Sequence, residues 1–108
     1  MTDLQTHVEQ IAQDLSNPNQ LEVWAVEDGN PDYSILDYLN GALDIEYVVG
    51  SEGDYRGARI LVAFGGPTIW INTRTNTVEG GWWQESARAH FDDEIGLNET
   101  IEELFNCK

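Results

Sequence analysis

Cysteine is nearly absent from this sequence, and long apolar runs are missing. Cys107 is the only cysteine among 108 residues, so neither an internal disulfide nor a thiolate metal cluster is expected. No stretch approaches the roughly 18 consecutive apolar residues that span a bilayer, and no basic segment followed by an apolar one opens the chain. These absences predict a soluble protein of a reducing compartment, the cytoplasm, without membrane contact.

Positive charge is also scarce. Five Lys and Arg residues stand against 20 Asp and Glu residues, which gives a formal net charge of −15. Between Met1 and Tyr55 the chain has twelve carboxylates and no Lys or Arg. Because such a surface repels phosphate, we expect direct binding neither to nucleic acid nor to an anionic membrane.

Apolar and aromatic residues are abundant enough for one core. They make up 41% of the chain and include four Trp, four Tyr and three Phe. Two cores would leave each half of the chain near the size at which apolar burial barely offsets conformational entropy. The sequence therefore predicts one acidic domain over residues 1–108.

The first 43 residues are predicted to form two helices with a strand between them. A first helix, capped by Thr2, carries Leu4, Val8, Ile11 and Leu15 on one face and ends by Asn17-Pro18-Asn19. The residues from Leu21 to Glu27 alternate and predict a short strand. A second helix has Asn30 as its cap and Pro31 in its first turn, buries Ile35, Leu36, Leu39 and Leu43, and stops at Gly41.

The rest of the chain is predicted to form a sheet and a last helix. Predicted strands are Leu43 to Val49, Ala58 to Phe64, Thr68 to Thr73, Thr77 to Trp83 and one that ends before Asp92. The second of these is apolar on both faces and is expected to be central. A short helix capped by Asn98 follows, with Ile101, Leu104 and Phe105 inward. The predicted class is α+β: an antiparallel sheet of four to five strands with an N-terminal helix, a second helix and a short C-terminal helix.

No group of residues has convincing catalytic spacing. Asp92, Asp93 and Glu94 have the chemistry to hold a divalent cation, but adjacent acids on a loop are more typical of a solvated turn. Cys107, His90 and Asp92 are the residue types of a nucleophilic site, yet a cysteine next to the chain end is poorly held in place. We therefore predict no catalytic residue, no metal ion and no cofactor.

The adjacent residues Trp82 and Trp83 are a candidate contact for a protein partner. Successive strand residues face opposite sides of a sheet, so one of the two indoles is expected to be exposed. An exposed Trp beside acidic residues is typical of an interface anchor. The alternative is that both faces of this strand are covered.

The size of the negative charge has three candidate explanations: salt adaptation, solubility and imitation of a polyanion. Solubility needs a net charge of magnitude about 2 to 8 in a small domain. Salt adaptation would spread charge over the whole surface and would not favour the many Asn and bulky aromatic residues seen here. Because excess self-repulsion destabilises a fold, a basic partner is the explanation that we favour.

The segment from Ile60 to Thr73, continued by Val78 to Trp83, resembles small uncharacterised proteins carried by phages and conjugative elements. The resemblance covers about the second half of the chain. It implies a mobile-element context, in which small acidic proteins that mimic DNA inhibit host defence nucleases, as anti-restriction and anti-CRISPR proteins do. The resemblance assigns no role to individual residues.

These observations predict a non-enzymatic inhibitor whose carboxylates stand where phosphates would lie in the groove of a basic nucleic-acid-binding protein. The predicted partner-binding residues are Glu22, Glu27, Asp28, Asp32, Asp37, Asp44, Glu46, Glu52, Asp54 and Trp83. Arg74 and Arg88 are expected to tie the sheet together. The alternatives are an immunity or antitoxin protein that neutralises a nuclease toxin, and a metal-assisted hydrolase built on the acids at 92–94. The sequence leaves the oligomeric state open.

Overall fold

Three helices precede a run of five strands, and a fourth helix follows them, in the computed structural model, which describes residues 3–107. The elements are α1 (Asp3–Ser16), α2 (Gln20–Asp28), α3 (Ile35–Asn40), β1 (Asp44–Val49), β2 (Tyr55–Ala63), β3 (Thr68–Asn72), β4 (Thr77–Trp82), β5 (Glu85–His90) and α4 (Leu97–Asn106). The predicted α+β class is confirmed. Thr2, the predicted cap of the first helix, lies outside the described residues.

The five strands form one antiparallel sheet in the order β1-β2-β3-β4-β5. The prediction that β2 is the central strand is therefore wrong, because β3 occupies that place. Both faces of β2 are apolar for a reason other than a central position in the sheet. Ile60 is buried in the core, whereas Leu61 lies half-buried on the opposite face, and the register shifts between Leu61 and Ala63.

The helices cover one face of this sheet. Alternate strand residues, among them Ile60, Ile69, Ile71 and Val78, are fully buried beneath them. Helix α1 packs against β4 and β5, and α4 packs against β2. We call the other face, which none of the described helices covers, the open face of the sheet.

A glycine permits the close approach of α1 to β4. A Cβ atom added at Gly80 would lie 2.8 Å from Leu4 Cδ1 and 2.8 Å from Val8 Cγ2. Both side chains belong to the core. The helix therefore lies directly against the backbone of the strand at this point.

Residues Gln20 to Asp28 form α2, so the prediction of a strand between Leu21 and Glu27 is wrong. Gln20 is buried and Trp24 is half-buried at helical spacing, whereas Val26 is 82% exposed. The sequence of α2 resembled that of a strand because this helix carries apolar side chains on its exposed side as well. A short apolar run does not distinguish a helix from a strand by its period.

Helix α3 begins at Ile35, and the predicted start at Asn30 and Pro31 is wrong. Ser34 occupies the cap position, where Asp37 Oδ2 accepts the Ser34 backbone N–H at 2.8 Å. The Asn30 side-chain oxygen instead accepts the Asp32 amide at 3.0 Å, which closes a turn.

The end of α3 at Gly41 is confirmed, but its buried side is narrower than predicted. Ile35 and Leu39 are buried as expected, whereas Leu36 is 48% exposed and Leu43 is 59% exposed. A helix of so few turns presents only one short stripe to the core.

Gly96 occupies the cap position of α4, and the first backbone N–H groups of the helix are bound by a residue that the sequence pattern did not predict. The Asp93 carboxylate accepts the backbone N–H groups of Leu97 at 2.8 Å and Asn98 at 2.9 Å. The prediction that Asn98 is the cap is therefore wrong. The Asn98 side-chain oxygen instead accepts the Tyr55 hydroxyl at 2.6 Å, which fastens α4 to β2. Ile101 is buried as predicted.

Candidate functional site

The acidic residues are divided unequally between the two layers of the molecule. We define the helical layer as residues 3–42 and 91–107. It contains fourteen carboxylates and no Lys or Arg: Asp3, Glu9, Asp14, Glu22, Glu27, Asp28, Asp32, Asp37, Asp92, Asp93, Glu94, Glu99, Glu102 and Glu103. The sheet layer, residues 43–90, contains the other six carboxylates and all four arginines.

One arginine of the sheet layer lies on the open face in contact with both an acid and an aromatic ring. Arg59 Nη1 is 3.1 Å from Glu46 Oε1, across the β1 and β2 pair. The same guanidinium lies 4.1 Å from the centre of the Trp70 ring on β3. The charge of Glu46 is therefore compensated within the protein.

Two other arginines also lie beside carboxylates. Arg88 Nη2 is 3.8 Å from Glu79 Oε2, which joins β5 to β4. Arg56 is hydrogen-bonded to Asp54 and lowers the pKa of that carboxyl. Half of the six acids in the sheet layer therefore have a cationic neighbour.

Arg74 follows β3 and lies over the backbone of β2. A Cβ atom added at Gly57 would overlap Arg74 Cγ, so the absence of a side chain at Gly57 makes room for Arg74. Arg88 joins β5 to β4 through Glu79, whereas the Arg74 side chain lies against β2 at Gly57.

The predicted partner-binding acids lie in three places. Glu22, Glu27, Asp28, Asp32 and Asp37 are all exposed on α2, on the loop after it, and on α3. Asp44 and Glu46 project from the open face of β1, and Glu52 and Asp54 lie in the loop between β1 and β2. The structure gathers the first five in the helical layer and separates the other four from them.

Three aromatic rings lie among the acids of α2 and α3. The Trp24 ring stacks on Tyr38, with the planes 7° apart and the centroids 4.5 Å apart. Tyr33 is tilted against Trp24 at a centroid distance of 5.9 Å. Sequence analysis missed this cluster because α2 was predicted as a strand, which would have separated these rings.

The cluster adjoins a shallow depression that is open to solvent, which we call the α2 cleft, of about 190 Å³ lined by Trp24, Glu27, Asp28 and Tyr33. A second cleft of about 330 Å³ shares Tyr33 and extends past Asp37 and Tyr38 towards Val62 on β2. The carboxylates and the aromatic rings therefore line the same concave surface.

The tyrosines of this surface are uncharged at neutral pH. Burial raises the pKa of Tyr38 to about 12, and Asp14 adds to the shift. Burial also raises the pKa of Tyr33, and the negative charges of Asp28 and Asp37 raise it further. Both phenols therefore present neutral rings in a negative environment.

Trp83 lies at the tip of the turn between β4 and β5. Its side chain is 90% exposed and that of Trp82 is 41% exposed, so the expected exposed indole is present. The expectation that strand alternation exposes one indole and turns the other inward is wrong, because Trp83 lies after the end of β4 and both indoles are exposed. Trp83 has a φ of +59°, a left-handed conformation in which an L-residue is strained. Phe64, at the same end of the sheet, is 73% exposed.

The candidate catalytic groups have structural partners or exposed positions. The Asp93 carboxylate caps α4, and His90 Nε2 lies 3.7 Å from Asp92 Oδ1 on the surface. Cys107 is exposed at the end of α4. Within residues 3–107 no group of three or more His, Cys, Asp and Glu side chains is placed to hold a metal ion. None of the helices in that range is long and apolar enough to cross a membrane.

Comparison with protein-family models, with curated protein sequences and with solved structures finds no match to this chain. The resemblance to small proteins of mobile elements therefore stays a prediction. The distribution of charge and the aromatic residues beside it are the features of the molecule that bear on its function.

Proposed function

We propose that this protein is a non-enzymatic inhibitor that binds, as a DNA mimic, in the nucleic-acid-binding groove of a basic protein partner. The partner class is a nuclease or effector complex of a host defence system, which the protein meets in the cytoplasm of the host cell. The observation that carries this proposal is the helical layer, whose fourteen carboxylates have no Lys or Arg among them.

The amount of charge in the helical layer suits this role. The molecule measures 41 × 39 × 24 Å. B-DNA carries one charge per roughly 1.7 Å, so about 24 phosphates occupy the same length and about half of them face one side. Fourteen carboxylates on one layer are therefore comparable to what a DNA-binding groove meets.

The segregation of the cations argues against solubility as the sole reason for the charge. Three of the four arginines lie beside a carboxylate of the sheet layer, so this protein does form ion pairs on its surface. A surface made only for solubility would intersperse both signs of charge. The absence of Lys and Arg from the helical layer instead leaves a field of one sign, which steers a basic partner towards it.

The test is inhibition of DNA binding by basic nucleases and effector complexes of defence systems, followed as competition with labelled duplex DNA. We expect the protein to displace DNA, with an affinity that falls steeply as the salt concentration rises from about 50 to about 200 mM. Displacement that is insensitive to salt, or no displacement from any of these partners, would contradict the proposal.

Matched variants locate the binding surface. Glu22→Gln with Glu27→Gln removes two charges from the helical layer, and Glu79→Gln with Glu85→Gln removes two from the sheet layer. We expect the first pair to weaken binding on the order of tenfold and the second pair to have little effect. Equal losses in both double variants would show that net charge alone matters and that the helical layer is not the contact surface.

A further inference from the structure

The α2 cleft combines two kinds of group that recognise a cation. Trp24 and Tyr33 supply aromatic rings, and Glu27 and Asp28 supply carboxylates. An aromatic face attracts a cation through the negative potential above the ring, and a carboxylate attracts it through its charge. Acidic residues are found throughout the helical layer, so the rings are what distinguish this cleft.

The open face of the sheet shows which side chain this combination binds in the same protein. There the Arg59 guanidinium lies 4.1 Å from the centre of the Trp70 ring and 3.1 Å from the Glu46 carboxylate. One aromatic ring and one carboxylate thus hold one guanidinium. The α2 cleft has the same two components in duplicate.

The α2 cleft has no cation of its own among the described residues. The four arginines all lie between residues 56 and 88, in the sheet layer. The ion pairs in residues 3–107 that involve arginine use Asp54, Glu46 and Glu79 and leave Glu27 and Asp28 without a basic partner. Residues 3–107 therefore supply the rings and carboxylates of the cleft but no cation to lie between them.

We propose that the α2 cleft binds the guanidinium group of an arginine side chain that the protein partner inserts between the aromatic rings and the carboxylates. Arginine fits better than lysine, because its planar guanidinium stacks on a ring and donates two parallel hydrogen bonds to a carboxylate. A volume of about 190 Å³ offers room for one such head group. The partner's identity rests on the proposed function, whereas guanidinium binding by the cleft does not.

The test uses a small probe, so that it does not depend on finding the partner. N-acetyl-arginine amide is titrated into the protein, and the indole N–H resonance of Trp24 is followed by NMR, assigned by its loss in Trp24→Leu. We expect a saturable shift with the arginine probe, affinity at least threefold weaker with N-acetyl-lysine amide, and no saturable shift with the uncharged N-acetyl-citrulline amide.

Variants separate the cleft from the general negative charge. Glu27→Gln with Asp28→Asn keeps both rings and is expected to weaken the arginine probe at least fivefold. Glu99→Gln with Glu102→Gln removes the same charge from exposed positions on α4 and should leave the affinity unchanged. Equal weakening in the two double variants, or equal affinity for the arginine and lysine probes, would overturn the proposal.

The two proposals fail in different ways. Loss of DNA displacement with normal binding of the arginine probe would contradict the inhibitor function and leave the cleft as a guanidinium site. Displacement of DNA without saturable binding of the probe at Trp24 would contradict the cleft and leave the function standing.

Discussion

At Gly80, α1 lies directly against the backbone of β4. A methyl group there would lie 2.8 Å from both Leu4 Cδ1 and Val8 Cγ2, which are buried and closely surrounded. We expect Gly80→Ala to lower the free energy of unfolding by about 1 to 3 kcal/mol, because the core must shift to admit the methyl group. Urea denaturation followed by tryptophan fluorescence measures this change.

Gly66 provides the control for that substitution. A Cβ atom at Gly66 would have nothing within 4 Å, and its backbone is not in the left-handed region. Gly66→Ala should therefore leave stability unchanged or raise it slightly, because it restricts the unfolded chain. If Gly80→Ala is as harmless as Gly66→Ala, then α1 is not packed against β4 as described.

The backbone conformation and the exposure of Trp83 lower the stability of the fold. Its ring is 90% exposed and its φ is +59°, which costs an L-residue about 1 to 2 kcal/mol. We expect Trp83→Gly to raise the free energy of unfolding by roughly 1 kcal/mol, measured by urea denaturation. A loss of stability would mean that the indole supports the fold, which would remove Trp83 from the candidate partner contacts.

At the scale of elements, the stack of Trp24 on Tyr38 joins α2 to α3 and makes stability depend on pH. The folded state favours the neutral phenol, because burial raises the pKa of Tyr38 from 10.0 to about 12. The resulting stabilisation is complete below about pH 10 and is lost as the pH rises from about 10 to about 12. By pH 11 the loss is roughly 1 kcal/mol.

Tyr38→Phe tests this dependence, since phenylalanine keeps the ring and removes the titrating hydroxyl. We expect the free energy of unfolding to fall less steeply in the variant than in the original protein between about pH 10 and 12. Chemical denaturation at a series of pH values gives both curves. Parallel curves would show that Tyr38 titrates as freely in the folded state as in the unfolded one.

At the scale of the whole molecule, a net charge of −15 makes the folded state repel itself more than the expanded unfolded chain does. Added NaCl screens this repulsion, so the melting temperature should rise between about 10 and 300 mM salt. Each kcal/mol of screened repulsion corresponds to roughly 4 to 8 °C.

The variant Glu102→Gln with Glu103→Gln, at exposed positions beyond the first turn of α4, relieves part of the same repulsion and should raise the melting temperature at low salt and leave it nearly unchanged at high salt. Differential scanning calorimetry measures both effects. If salt does not raise the melting temperature, the charge costs the fold nothing, and the argument that a basic partner accounts for it loses its physical basis.

The sequence by itself determined the class of the fold, the net charge and most of the strands. Helix α1 and the strands β3 and β4 were predicted to within about one residue of their ends, because their apolar periods are local properties of the chain. An exposed indole at Trp82 and Trp83 was also predicted, but the alternation of strand residues is not its cause, because Trp83 lies in the turn after β4 and both indoles are exposed.

Only the tertiary structure decided on which surfaces the acidic residues lie and which aromatic rings they lie beside. Helix α2 exposes apolar side chains, and it meets the rest of the molecule through the buried Gln20, through Leu21 against the core, and through the contact of Trp24 with Tyr38 on another helix. Asp28 and Asp44 are close in sequence, but the sheet separates them because the helices cover one face and Asp44 projects from the other. The partition of charge between two layers and the α2 cleft depend on contacts between distant residues, which no local period encodes.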